Sequence, residues 1–312
     1  MPQAISLNVG INRVNSTFFT AEDLKRAEDD ARSMFEIATK VGFESAWRNP
    51  ATDLPEPLLG DLATFNNVVD SIHKAAKKLE DSGGGVFLFT FAGHGTQKTL
   101  KTGVAELDGK DESIVLANHL LFDIVWKNDL WPSFGANVRA IVVADCCRSG
   151  GAFTGLDAIK LSLARVKDFV MRVAEMFGLR GPKLPVQSER VVRRLDQQEQ
   201  EKELEAFKDF YDKQAAGSAP PQGILVSRVL LSACGAGEDA VELDDHGAFT
   251  KALLDVWNDG AFPGLNSAFT DNYIGFMDAI KSKFNNPNQH PQIRQEGQLD
   301  FTNQRPFSIV SS

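Results

Sequence analysis

The run Ala140-Ile141-Val142-Val143-Ala144 constrains the fold more than any other stretch of the chain. It is short, uninterrupted and mostly β-branched, the pattern of a strand buried on both faces. Such strands sit in parallel sheets whose two faces are covered by helices. Val86-Phe87-Leu88-Phe89-Thr90-Phe91 is a second run of this kind, and Ile5-Ser6-Leu7-Asn8-Val9 reads as a first strand. Helical spacing fills the intervals. Leu24, Ala27, Ala31, Met34, Phe35 and Ala38 lie on one face between Ala21 and Gly42, with Gly42 as the stop. Phe65, Val68, Val69, Ile72, Ala75, Ala76 and Leu79 do the same between Thr64 and Glu80, and Gly83-Gly84-Gly85 breaks that helix. The alternation predicts an α/β fold with a mostly parallel central sheet flanked by helices. "FESAW" reads as a further strand, Leu120 to Trp126 as a helix, and Asp108 to Glu112 as a polar loop.

Gly155 to about Gly223 breaks the pattern with two helical stretches, about Ile159 to Phe177 and about Glu189 to Lys213, the second dense in charge and suited to an exposed helix. We read 155–223 as a helical insertion or linker within one domain spanning 1–312. It separates a first half, 1–154, from a second half, 224–312. The core pattern resumes with the strand Arg228 to Ser232, helices at Ala248 to Trp257 and Tyr273 to Phe284, and "PFSIV" as a short last strand.

Composition narrows the function. A net charge of −9 disfavours nucleic acid as the main partner, because phosphate binding needs basic patches. The first residues lack a charged segment followed by a long apolar one. No apolar run reaches the roughly 18 residues of a membrane span, so a cytoplasmic protein with no membrane partner is expected. Three cysteines without an export signal suit free thiols in a reducing compartment. No C-x-x-C pair points to structural zinc.

Two strand ends carry chemistry. One runs into Gly93-His94-Gly95, the other into Asp145-Cys146-Cys147, with Cys147 53 positions after His94. Carboxyl ends of parallel strands are where ligands bind. Taken singly, a cysteine after an apolar run is usually a packing residue. Adjacent strands would bring both ends together, and histidine suits the proton transfers a thiol nucleophile requires. Glycines admit a substrate backbone and leave the N–H groups of Gly95 and Cys147 free as an oxyanion hole.

These motifs resemble the caspase-like cysteine peptidases. "FLFTFAGHGTQ" and "VADCCRSG" are similar to the S-G-H-G and D-S-C-H-S-G strand ends of the bacterial metacaspase or orthocaspase branch. "ISLNVGIN", "LKRAEDDARSM", "RVLLSACGAGEDAVE" and "GAFTKALLDVW" resemble further parts of that fold. The resemblance implies His94 as base and then acid, Cys147 as nucleophile, and Cys146 in the usual serine position. Arg148 and Ala92 depart from the pattern outside the dyad.

It also implies that Asp145 and Asp30 form an acidic S1 pocket, with the adjacent Asp29 as the alternative to Asp30 if the alignment shifts by one residue. Paired carboxylates favour a P1 Arg or Lys. The expected partners are peptides or proteins with a basic P1, and an activating protease. No organic cofactor is required. The acidic loop Asp108-Gly109-Lys110-Asp111-Glu112 reads first as solvated surface and second as a calcium site, without EF-hand spacing. A catalytically silent scaffold and a zymogen effector of a stress or defence pathway are the alternative readings. Arg180, Lys183, Arg190, Arg193, Arg194 and Lys202 stand between the two halves. Self-cleavage after one or more of them is expected.

Overall fold

The computed structural model describes residues 3–17, 19–99, 110–147, 191–216, 223–235, 238–261, 272–284 and 288–309. Its centre is a sheet of β1 (Gln3–Gly10), β2 (Glu44–Ser45), β3 (Leu58–Leu59), β4 (Gly85–Ala92), β8 (Val138–Asp145), β9 (Ser227–Ser232) and β10 (Gln292–Glu296). The order is β10-β9-β8-β4-β1-β2, with β3 also paired to β1. Every pairing is parallel except that of β10 with β9. A small antiparallel sheet of β5 (Gly95–Thr99), β6 (Lys110–Val115) and β7 (Leu120–Phe122) stands beside it.

The long apolar runs are buried on both faces because successive side chains enter opposite cores. Phe87, Phe89, Ala140 and Val142 pack with helix α2 (Phe65–Asp81) through Val68, Ile72 and Leu79. Val86, Leu88, Ile141 and Val143 join α1 (Ala27–Val41) on the other side, through Met34 and Ile37. Two later helices complete that side: α5 (Ala248–Trp257) contributes Phe249 and α6 (Tyr273–Ser282) contributes Phe276. Gly42 ends α1 at φ 100°, a left-handed conformation that glycine adopts without strain. Thr64 caps α2 by accepting the Asn67 N–H.

Several elements differ from the sequence reading. Leu120–Phe122 is a strand, and the helix begins only at Asp123. Pairing with β6 overrides local preference there. Residues from Lys110 belong to that partner strand, not to a polar loop. "PFSIV" forms no strand over its described residues; the polar QIRQE of β10 closes the edge instead. Of the helix expected from about Glu189, the described residues 191–196 are not helical, and α3 (Gln197–Ala206) begins after them, followed by α4 (Lys208–Ala216). Val191 to Leu195 makes isolated bridges at Val192 and Arg194, with a tight turn at Arg193 where the Arg194 N–H donates to Val192 O at 2.9 Å. Nor is α3 fully solvated. Its buried Glu203 accepts from the Tyr211 hydroxyl at 2.7 Å and bonds His119 Nδ1 at 2.8 Å, which docks this segment on β7. The earlier helical stretch, Ile159 to Phe177, lies outside the described residues.

Candidate active site

Parallel register brings the two motifs together. Ala92 on β4 pairs with Asp145 on β8, so two more residues along each chain lead to His94 and Cys147. The adjacent cysteines diverge. Cys146 enters the α2 core and Cys147 the opposite one. Both are free thiols.

His94 is buried, and its Nε2 donates to the Glu22 carbonyl at 2.7 Å. A carbonyl can only accept, so this bond fixes the tautomer and leaves Nδ1 with the lone pair. Nδ1 is buried and has no hydrogen-bond partner among the described residues. Burial holds the imidazole below its ordinary pKa, against the Glu22 bond. The Cys147 thiol accepts from the Ala240 N–H at 3.1 Å and faces the Ala240 carbonyl at 3.6 Å. Burial first, then the Cys234 thiol, push its pKa far up, so the thiol is neutral in this closed arrangement. No hydrogen bond joins the thiol to the ring.

The cleft between them is filled by the chain itself. Arg193 N–H donates to Ala240 O at 2.9 Å, and Glu242 N–H donates to Val191 O at 3.0 Å. These bonds and an antiparallel bridge from Val192 to Val241 lay residues 191–193 along 240–242 as an added strand. Beyond Arg193 the pairing passes to β5. Leu195 N–H donates to Gly95 O at 3.1 Å. The Arg193 carbonyl accepts from the N–H groups of Gly95 and Cys147, at 3.0 and 3.1 Å. Paired backbone donors of this kind stabilise a carbonyl oxygen that gains charge. Only glycine fits at 95, since a Cβ there would stand 2.1 Å from the Cys147 carbonyl oxygen.

The Arg193 side chain is fully buried among three carboxylates. Its Nη2 donates to Asp30 Oδ2 at 2.5 Å and to Glu242 Oε1 at 3.1 Å. Nη1 donates to the Asp145 carbonyl at 3.0 Å and lies 3.3 Å from Asp145 Oδ1. Burial opposes the charge on Arg193, but Asp145, Asp30 and Glu242 outweigh it and hold the pKa above the ordinary value.

Each carboxylate is held in turn. Asp145 accepts from the N–H and hydroxyl of Thr250, in the first turn of α5, at 2.9 and 2.7 Å. Asp30 bonds His246 Nδ1 at 2.8 Å and accepts from the Gly247 N–H. Glu242 accepts from the N–H groups of Lys25 and Arg26, both at 3.0 Å. Burial raises the Asp145 pKa, and Asp30 adds to the rise, while Arg193 opposes it. Gly247 leaves room for the guanidinium, because a Cβ there would lie 2.6 Å from Arg193 Nη1.

Of the two neighbouring aspartates on α1, Asp30 points into this pocket, while Asp29 pairs with Arg26 and Arg32 nearer the surface. Glu242, the Glu22 carbonyl and Gly247 escaped the sequence reading. Glu242 is one of several acids in "GEDAVELDD", and nothing local separates it from its neighbours. Of the acidic loop, Asp108 and Gly109 lie outside the described residues, and no cluster of potential metal ligands occurs among the described residues.

The caspase-domain profile matches residues 9–302. The chain belongs to the caspase-domain family. It therefore carries the scaffold of the caspase-type cysteine peptidases, an α/β fold with a mostly parallel central sheet between helices. The crystal structure of protein GSU0716 from Geobacter sulfurreducens is 28% identical and aligns over 99% of this chain and 100% of that one, with a TM-score of 0.71. Caspase-1 from Spodoptera frugiperda aligns over 99% of this chain and 90% of its own at 11% identity, with a TM-score of 0.48. Comparison with curated protein sequences gave no significant match. No helix among the described residues is long and apolar enough to cross a membrane.

Proposed function

We propose that the chain is a cysteine endopeptidase that cleaves after Arg or Lys. The observation that carries this reading is the pose of Arg193. Its guanidinium lies among Asp30, Asp145 and Glu242, while its carbonyl accepts from Gly95 and Cys147. A basic P1 residue would bind in this way. His94 Nδ1 takes the proton of Cys147, and the sulfur attacks the P1 carbonyl carbon. The N–H groups of Gly95 and Cys147 hold the oxyanion. His94 then protonates the leaving amine, and the resulting thioester is hydrolysed by a water that His94 deprotonates. These steps use protein groups and water and require no organic cofactor.

Three carboxylates around the P1 site favour the metacaspase or orthocaspase branch, since caspases proper place arginines there. Three buried free thiols suit a cytoplasmic location. The net charge of −9 suits basic peptide or protein substrates, not nucleic acid or membrane. Activation by cleavage within 180–202, by the enzyme itself or by another protease, makes the intact chain a zymogen of the kind used as a stress or defence effector. Calcium binding at the 108–112 loop belongs to the same proposal.

A silent scaffold is the second reading, favoured by a neutral thiol that makes no hydrogen bond to the imidazole. A fluorogenic Arg-P1 peptide, assayed with and without calcium, separates the two. Wild type should turn it over and Cys147→Ala should not. Equal signals from both proteins refute the peptidase reading, and dependence on added calcium would support the loop site.

A further inference from the structure

The cleft of the intact chain holds a five-residue stretch of that chain in the attitude of a substrate, and this determines which bond the enzyme meets first. Three independent features converge on Arg193. Its backbone is paired on the N-terminal side with 240–242 and, just beyond it, with Gly95. Its carbonyl oxygen rests on the N–H groups of Gly95 and Cys147, the second of which belongs to the residue whose sulfur would attack. Its side chain is wholly buried among three carboxylates contributed by α1, the end of β8 and the 240–247 segment. Arg194 differs. It is half exposed and pairs at the surface with Asp239. The two arginines therefore occupy opposite sides of the attacked carbonyl.

From this we infer that Arg193–Arg194 is the self-processing bond, that it is cut within one molecule, and that Val191–Leu195 occludes the cleft of the uncut chain. The inference rests on the peptidase reading above. Cys147 Sγ forms a bond to the Arg193 carbonyl carbon and gives up its proton to His94. The bond to the Arg194 nitrogen breaks, and that nitrogen leaves as an amine with the proton from His94. Water then attacks the thioester, passes a proton to His94, and releases an Arg193 carboxylate and the Cys147 thiol. The products are residues 1–193 and 194–312. They stay together because β8, from the first, and β9, from the second, are hydrogen-bonded neighbours.

The occlusion makes a prediction that simple activation by cleavage does not. Two variants should both remain uncut at this bond yet behave oppositely. Arg194→Pro keeps the guanidinium and carbonyl contacts of Arg193 and presents a tertiary-amide nitrogen that resists cleavage; it removes only the Arg194 N–H bond to Val192 O, at 2.9 Å, and the surface pair with Asp239. Arg193→Gln removes the charge that anchors the segment. A tethered occupant competes at an effective concentration of about millimolar, so Arg193→Gln should exceed Arg194→Pro in Arg-peptide turnover by at least about tenfold. Arg193→Lys should still be cut at the same bond.

The experiment incubates wild type, Cys147→Ala and these three variants, follows intact mass, sequences the new N-terminus, and measures Arg-peptide turnover. Thermal unfolding confirms that each variant is folded. Wild type should yield a fragment beginning at Arg194, with a half-time independent of protein concentration, and Cys147→Ala should stay whole. A new terminus at any other residue, a rate proportional to protein concentration, or equal peptide turnover by Arg193→Gln and Arg194→Pro overturns the inference while the peptidase reading stands. Absence of both self-cutting and peptide turnover in every protein overturns the peptidase reading itself.

Discussion

Replacing Asp30 by Asn tests the acidic pocket at its most buried carboxylate. Asp30 touches the Arg193 guanidinium, His246 and the Gly247 N–H, and is fully buried. Carboxylates outnumber the cation here, with Asp30, Asp145 and Glu242 facing one arginine. Asp30 also raises the pKa of Asp145, a sign that the acids repel one another. Removing one negative charge with an isosteric amide therefore relieves repulsion while it costs attraction. Stability should change little, with a shift in Tm of no more than about 4 °C, equivalent to about 1 kcal/mol in a domain of this size.

Recognition of a cationic P1 should suffer more. A hydrogen bond to a charged group contributes about 1.5–3 kcal/mol, or about ten- to 150-fold. The assay is the ratio of kcat/KM for an Arg-P1 peptide to that for the neutral isostere citrulline at P1. Any difference in the fraction of open enzyme cancels in this ratio. Asp30→Asn should lower it about ten- to 150-fold. A ratio within twofold of wild type, or a large loss of Tm with the ratio unchanged, would show that Asp30 serves only the fold.

Cys147→Ala should abolish peptide turnover, while Cys146→Ser should keep most of it, because Cys146 points into the α2 core. The reverse outcome would move the nucleophile by one residue. Gly247→Ala should remove the Arg preference, since its Cβ would lie 2.3 Å from Asp145 Oδ2 and 2.6 Å from Arg193 Nη1; unchanged discrimination between Arg and citrulline would contradict this. His246 has a pKa raised first by its bond to Asp30, with Asp245 adding and Lys251 opposing. A raised folded pKa gives stability that is full below the unfolded value near 6.5 and lost as pH rises through the folded one. His246→Asn should therefore be more destabilised relative to wild type at pH 5.5 than at pH 9; equal differences in urea midpoints at the two pH values would exclude the coupling.

Apolar patterning made the central strands β1, β4, β8 and β9 legible, together with the ends of β4 and β8. Runs such as Val86–Phe91 and Ala140–Ala144 admit little but strands buried on both faces, because alternating side chains must all find apolar partners. Those runs stop just before His94 and Cys147, so the positions of both were readable locally. What surrounds them depends on contacts between segments far apart in the chain. Asp30 and Arg193 are 163 residues apart, and Arg193 and Glu242 are 49 apart; no local pattern marks either contact. The stretch from about Glu189 reads as a helix dense in charge, yet 191–195 is not helical. The backbone hydrogen bonds offered by Gly95, Cys147, Ala240 and Glu242, together with a buried cluster of carboxylates, outweigh a helical preference of a few tenths of a kcal/mol per residue. Likewise the polar β10 forms a strand only because β9 presents an open edge for it to pair with. Local periodicity records which faces are apolar; which distant charge fills a pocket is settled only when the chain closes on itself.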